Sequence, residues 1–394
     1  MFNRSRHSSL RMEQLMIKYN MKKLSIFVLG ALLCGAQGVN AKGTDKEVRG
    51  DDAAVRYTGR TQVDNDGSVT FDWVGTYLET RLTGGRLAVR LSETGTSYYN
   101  VFVDGKLHNV VKACGKDTVI DFVSGVSRNA HALRIQKRTE GEFGKTTIHR
   151  FLLPQSGALQ QANIERSRHI EFIGNSLTCG YGTEGKDRNE PFKLETENCN
   201  LSFSTIVSRY FDADYTLVAH SGRGAVRNYG DTVRVSAVTM REKMLQTFDE
   251  GSKEQWDFKA YTPDLVVINL GTNDFSVEPK PFKSEFVASY TKILKQLRQH
   301  YGDVPILCIY CCTIPAPVYD YYETALVEMN DKNIHLLQMK KDLFNTEADY
   351  GAVWHPNYNG QRKMAMEIIP MVSTITGWEL SGKAVELSLI HISE

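Results

Sequence analysis

The chain carries almost no net charge: 47 Lys and Arg face 46 Asp and Glu, a formal +1 over 394 residues. No global field therefore favours nucleic acid or an anionic membrane surface, and the expected partner is neutral. Long apolar runs are missing too. The most apolar stretch, residues 24–36, is closed by Gln37 and Asn40 before it reaches the length of a bilayer span. With Met21, Lys22 and Lys23 in front of it and Val39, Asn40 and Ala41 behind, it reads as a secretory signal. Residues 1–41 are set aside as an extension and leader, so the mature chain is expected to be secreted or periplasmic, with no membrane span. A lipid anchor on Cys34 fits less well, because Leu33 is bulky for a lipidation motif.

Cysteine is scarce, seven residues in all, and nothing in the chain resembles a zinc ligand set. Cys308 and Cys311 fall in the β-like run 306–314, where residues three apart point to opposite faces, so they read as small core hydrophobes. Cys179 and Cys199 bracket a loop; export permits a bridge there, and free thiols fit equally well. No metal or cofactor is expected, and activity should survive a chelator.

What is present divides in two. With 41% hydrophobic and 24% charged residues, a chain of this length can fill two cores. Over residues 47–155 short runs alternate apolar and polar, as in Leu87, Val89 and Leu91 against Arg86, Arg90 and Ser92. Asp104-Gly105 between two such runs is a hairpin signal. The pattern predicts a β-sandwich of roughly eight strands, a jelly roll. Trp73, Tyr77, Tyr98 and Tyr99 are either sugar platforms or, as most strand aromatics are, core. Residues 155–168 read as a linker or extended edge.

Over residues 165–380 strands and helices alternate. Strands are expected at 169–173, 215–219, 264–270, 304–313 and 334–339. Helices are expected at 201–211, 286–301 and 359–374. Such alternation predicts a parallel sheet with helices on both faces, a three-layer, flavodoxin-like α/β/α domain whose polar residues act at the strands' carboxyl ends. Ser176, Gly222, Asn273 and His355 each follow an apolar run. A serine hydroxyl needs a base to become a nucleophile, and His355 has a pKa suited to that. Attack on an ester makes an oxyanion; the N–H groups of Ser176 and Gly222 and the Asn273 amide could receive it. Gly224 is the alternative backbone donor, Asp274 reads as a helix cap, and His220 lies near the site but behind it.

The blocks GNSLT, SGRG, GTND and WHPN resemble those of the SGNH (GDSL-like) hydrolase superfamily. A β-sandwich before them, and CGYG after the serine block, resemble carbohydrate esterase family 2, the two-domain acetyl-polysaccharide esterases. The resemblance implies a carboxylic ester hydrolase with Ser176 as nucleophile, His355 as base, and Gly222 and Asn273 as oxyanion donors. It implies a substrate such as acetyl-xylan or acetyl-mannan; the chain is expected to work as a monomer.

Two residues depart from the superfamily pattern. Asn175 stands where many members have Asp, and Ala352 stands three before the histidine, where an aspartate is usual. Either a backbone carbonyl holds His355, giving a Ser-His dyad as some members have, or Asp349 bends in. Trp354 and Tyr181 are candidate sugar contacts, and the polar loop 183–200 lacks the apolar lid of a lipase. An SGNH esterase of other specificity, on acetylated sialic acid, other glycans or lipids, and a catalytically silent glycan-binding protein are the competing readings. Residues 386–394 look foreign to the fold and receive no role.

Overall fold

The computed structural model describes residues 45–251, 254–382 and 385. The secretory signal and the tail at 386–394 lie outside the described residues.

The first half is a sandwich of two six-stranded sheets. Leu87, Val89 and Leu91 are buried along the strand Leu87–Glu93, which pairs antiparallel with Thr146–Leu153 and Thr118–Val123. The facing sheet runs Ala158–Gln160, Tyr77–Thr83, His131–Lys137, Thr96–Val103, Lys106–Cys114. Asp104 and Gly105, with φ of 49° and 77°, make the two-residue turn between paired Val103 and Lys106, a geometry that follows the twist of its strands. Twelve strands replace the expected eight, because short pieces such as Arg56–Thr58, Gln62–Val63 and Ala158–Gln160 extend the edges.

The second half holds a parallel sheet. Its strands are β1 (His169–Gly174), β2 (Asp214–Ala219), β3 (Leu265–Ile268), β4 (Ile306–Tyr310) and β5 (Ile334–Gln338), in the order β2-β1-β3-β4-β5. Four long helices flank them: α1 (Phe203–Tyr210), α2 (Lys283–Tyr301), α3 (Tyr319–Met329) and α4 (Tyr358–Thr376). Helix α1 packs on α4 and α2 on α3. Right-handed crossovers leaving β1 and β3 in opposite directions put those pairs on opposite faces. The strand order reverses between β1 and β3, and at such a switch point a crevice opens beyond the strands' carboxyl ends. Glu171, an acid inside the otherwise apolar β1, is fully buried against Arg60 at 3.6 Å and the Tyr301 hydroxyl at 3.1 Å.

The halves share side chains. Trp73, Val74 and Tyr77 belong to the core of the parallel-sheet half, and the Tyr77 hydroxyl donates to Asp214 at 2.6 Å. Trp73, Tyr77 and Tyr99 are thus buried packing residues, at 0%, 1% and 2% exposure, and not sugar platforms; Tyr98 is half-buried. Cys308 and Cys311 are buried in the same core as Trp73. Cys179 and Cys199 are free thiols, which decides between the two open alternatives.

Candidate active site

Strand β1 ends at Gly174, where a side chain has no room: a Cβ would lie 2.0 Å from the Thr178 hydroxyl. Asn175 then caps a one-turn helix, Ser176–Cys179, its side-chain oxygen accepting the Leu177 N–H at 3.2 Å. This is the local work an Asp would do at that position, and Asn does it without a charge. Ser176 opens the helix at the switch point, 9% exposed.

His355 reaches Ser176 from the loop between β5 and α4, not from a strand end. Its Nε2 lies 2.8 Å from Ser176 Oγ, and its Nδ1 lies 2.8 Å from the carbonyl oxygen of Val353. That carbonyl is aimed by a backbone conformation L-residues avoid. Val353 and Trp354 have φ of 51° and 59°, a costly region for a β-branched side chain. The loop 182–190 holds them there. The N–H groups of Ala352, Val353 and Trp354 donate to the carbonyls of Gly182, Glu190 and Arg188 at 3.0 to 3.1 Å.

Position 352 has no space for an acid. A Cβ on Gly182 or Gly185 would come within 2.9 Å of the Ala352 methyl, so both glycines pack directly on it. Asp349 does not reach the histidine either. Its Oδ2 accepts from the N–H groups of Asn345 and Thr346 and from the Lys363 ammonium at 2.7 Å. The His355 side chain is half-buried. That loss of water pulls its pKa down to about 4, against which the backbone carbonyls of Val353 and Ala352 offer only a partial offset.

Gly222 follows β2 with φ of 79°, and its carbonyl accepts the Tyr229 N–H at 2.8 Å. Among the described residues no acceptor takes the N–H of Gly222 or of Ser176. Asn273, in the short helix after β3, donates one amide hydrogen to the Arg223 carbonyl at 2.8 Å. Its second amide hydrogen remains for a ligand. Asp274 is not the cap expected of it: Gly271 occupies that position, and the buried Asp274 carboxylate accepts the N–H groups of Ala225, Val226 and Arg227 at 2.7 to 3.1 Å. Gly224 lies against Asp274, with its α-carbon too close for any side chain. His220, also buried, gives Nδ1 to Asp249 at 2.9 Å; burial opposes its charge, but Asp249 outweighs that and raises its pKa.

Tyr181 is half-buried beside His355, its ring centroid 4.7 Å away, and stacks on Phe192 at 3.9 Å. Phe192 stacks in turn on Phe143 of the sandwich half at 5.5 Å. Sequence reasoning passed over both phenylalanines: Phe143 ends the one-turn 3-10 helix Gly141–Phe143 and Phe192 sits in a loop, so neither has a periodic signal. Trp354 is 56% exposed, with the Arg188 guanidinium 4.3 Å from its ring centroid. Among the described residues two side-chain groups have metal-ligand spacing: Glu140, Cys179 and Glu197, and His220, Asp249 and Glu250. In the second the Lys243 ammonium, 3.0 Å from Asp249 and 2.7 Å from Glu250, already supplies the cation.

Comparison with known proteins agrees with this architecture. The carbohydrate esterase 2 N-terminal model matches residues 57–162, and the GDSL-like lipase/acylhydrolase model matches residues 172–363. A cellulase/esterase of Acetivibrio thermocellus is 29% identical over 83% of this chain, which spans only 40% of that longer protein. An acetylxylan esterase/glucomannan deacetylase of Cellvibrio japonicus is 28% identical, the match covering 77% of this chain and 84% of the relative. A solved family two carbohydrate esterase from Clostridium thermocellum, in complex with cellohexaose, superposes with a TM-score of 0.74 at 28% identity over 82% of this chain and all of that one. The β-sandwich and the switch-point serine thus fall in a carbohydrate esterase 2 N-terminal domain followed by a GDSL-like hydrolase domain, the arrangement shared with family two carbohydrate esterases.

Proposed function

We propose that the protein removes O-acetyl groups from plant-type polysaccharides, acetyl-xylan and acetyl-mannan or glucomannan, through an acetyl-Ser176 intermediate with His355 as its base. One observation carries the reading: Ser176 Oγ and His355 Nε2 stand 2.8 Å apart in the switch-point crevice, with the other ring nitrogen held by the Val353 carbonyl.

That arrangement fixes the tautomer. Nδ1 carries the proton toward Val353, so Nε2 is free to accept the Ser176 proton as Oγ attacks the acetyl carbonyl. The negative charge that develops on the carbonyl oxygen is received by the N–H groups of Ser176 and Gly222 and the Asn273 amide, each worth roughly 3 to 4 kcal/mol. His355 then returns its proton to the departing sugar oxygen, and a water activated by the same nitrogen releases acetate. A carbonyl dipole stabilises the imidazolium less than a carboxylate does, so the oxyanion donors carry a larger share of the barrier reduction.

Support for a sugar alcohol comes from the names of the relatives and from the exposed indole of Trp354, one residue from the base. Tyr181, stacked on Phe192, is better placed to wall the acyl side than to lie flat under a pyranose. Among the described residues no helix is long and apolar enough to cross a membrane, and export rests on residues 21–41 of the sequence. We take the working unit to be a monomer. The deciding assay is acetate release from acetyl-xylan and acetyl-glucomannan beside short and long 4-nitrophenyl esters, with Ser176→Ala as control. Turnover of the polysaccharides is expected. Preference for long-chain esters or acetylated sialic acid would transfer the chain to another specificity, and no turnover of any ester would leave only binding.

A further inference from the structure

A single carboxylate oxygen ties together the two strand ends that carry the backbone donors, and it belongs to the sandwich half. Glu140 lies just beyond the sandwich strand His131–Lys137 and is completely buried. Its Oε2 accepts the Ser221 N–H at 2.7 Å and the Cys179 thiol at 3.5 Å. Ser221 is the residue before Gly222, and Cys179 ends the turn that begins at Ser176. The segment around Glu140 is itself fixed. The buried Lys137 ammonium donates to the carbonyls of Thr139 and Glu140 at 2.7 and 3.1 Å. Gly141 sits so close to Asp249 that a Cβ would approach that side chain to 2.7 Å. The buried Glu197 carboxyl lies alongside, and Glu140 Oε1 has no hydrogen-bond donor among the described residues. Burial holds both carboxyls toward their neutral forms, so a proton fits between them.

We infer that Glu140 is a positioning residue for the acyl-transfer site. It sets the Gly222 N–H through Ser221, and the Ser176 turn through Cys179, so that the sandwich completes the oxyanion site instead of only adding a surface to the enzyme. The inference rests on the serine-esterase reading above.

The test uses the full chain with 4-nitrophenyl acetate and with a boronic acid, whose tetrahedral serine adduct fills the oxyanion site. Glu140→Gln keeps an acceptor for Ser221 and presents a donor to Glu197, so kcat and the boronate Ki should stay within about threefold. Glu140→Asp keeps the carboxyl group but is one methylene too short. It should lower kcat about 10- to 100-fold, since a displacement near 1 Å costs on that order, with KM nearly unchanged and the boronate Ki raised in parallel. Wild-type kcat and Ki in a folded Glu140→Asp enzyme, or equal losses in both variants, would overturn the inference. If Glu140→Asp does not fold, hydrogen exchange in the wild type decides: the Ser221 amide should be protected like the amides of β2, and exchange at the rate of an open loop would refute the bond. Activity in the wild type, absent in Ser176→Ala, keeps the underlying reading separate from either result.

Discussion

Acidification titrates the proposed base, and the structure says where its effect must fall. A free histidine titrates near 6.5, whereas His355 is held down to about 4, because the half-buried ring loses water that the carbonyls of Val353 and Ala352 replace only in part. Among the described residues no carboxylate pulls the value back, Asp349 being engaged with Lys363 and the 345–346 backbone. Only the neutral ring can accept the Ser176 proton. At pH 5.5 about 97% of His355 is neutral with a pKa near 4, against about 9% for an unperturbed histidine, a tenfold difference in expected kcat/KM. The profile should be level from neutrality down to about pH 5 and half-maximal near pH 4. The folded state binds this proton more weakly than the unfolded chain, so the stability His355 contributes is present above about pH 6.5 and fades as pH falls toward 4. The assay is kcat/KM on acetyl-xylan, following acetate at constant ionic strength, with circular dichroism at each pH to keep unfolding out of the profile. An acid limb centred between pH 6 and 7 would refute the reasoning.

Asn273→Ala should lower kcat 10²- to 10³-fold with KM within a few-fold, the signature of a donor used mainly in the transition state. Asp349→Asn should leave turnover within about threefold, since the carboxylate never touches His355, while lowering Tm by several degrees; calorimetry measures the loss of a charged acceptor worth roughly 1.5 to 3 kcal/mol. Ala352→Asp should yield no faster enzyme: the methyl is fully buried against Gly182 and Gly185, and a carboxylate forced in there lowers Tm and moves the His355 loop. Trp354→Ala should raise KM on acetyl-xylan severalfold and leave 4-nitrophenyl acetate hydrolysis unchanged, since the small ester has no sugar ring to lay on the exposed indole.

How much of this is legible in the sequence depends on whether an element declares itself locally. Strands β1 to β4 are buried over nearly their whole length, so each shows as an apolar run stopped by a polar block, and the ends of β1, β2 and β3 fall beside Ser176, Gly222 and Asn273. Helix α3 is not among the expected helices, although Tyr322, Ala325, Leu326 and Met329 stand at the i, i+3, i+4, i+7 spacing of an amphipathic helix and pack on the core; only Tyr322 and Ala325 of them are fully buried. Gln62–Val63 is two residues long, too short to show a period of two. Asp274 misleads for a different reason. In sequence it has a cap's composition, but its partners lie nearly fifty residues back, in the loop after Gly222. Glu140 gives no signal at all, since its importance comes entirely from docking the two halves.

The missing acid shows both limits at once. Ala352 in place of aspartate is plain in the sequence, and so is the choice it forces between Asp349 and a backbone carbonyl. The resolution is not, because it depends on Val353 and Trp354 adopting positive φ, which neither residue type suggests. What permits that conformation is the loop 182–190, which offers three carbonyls to the N–H groups of residues 352–354 and fits two glycines against the alanine methyl. Alanine at 352 and glycine at 182 and 185 therefore form one packed unit. A carboxylate would need that space, and its absence lets the chain come close enough for a peptide carbonyl to hold His355.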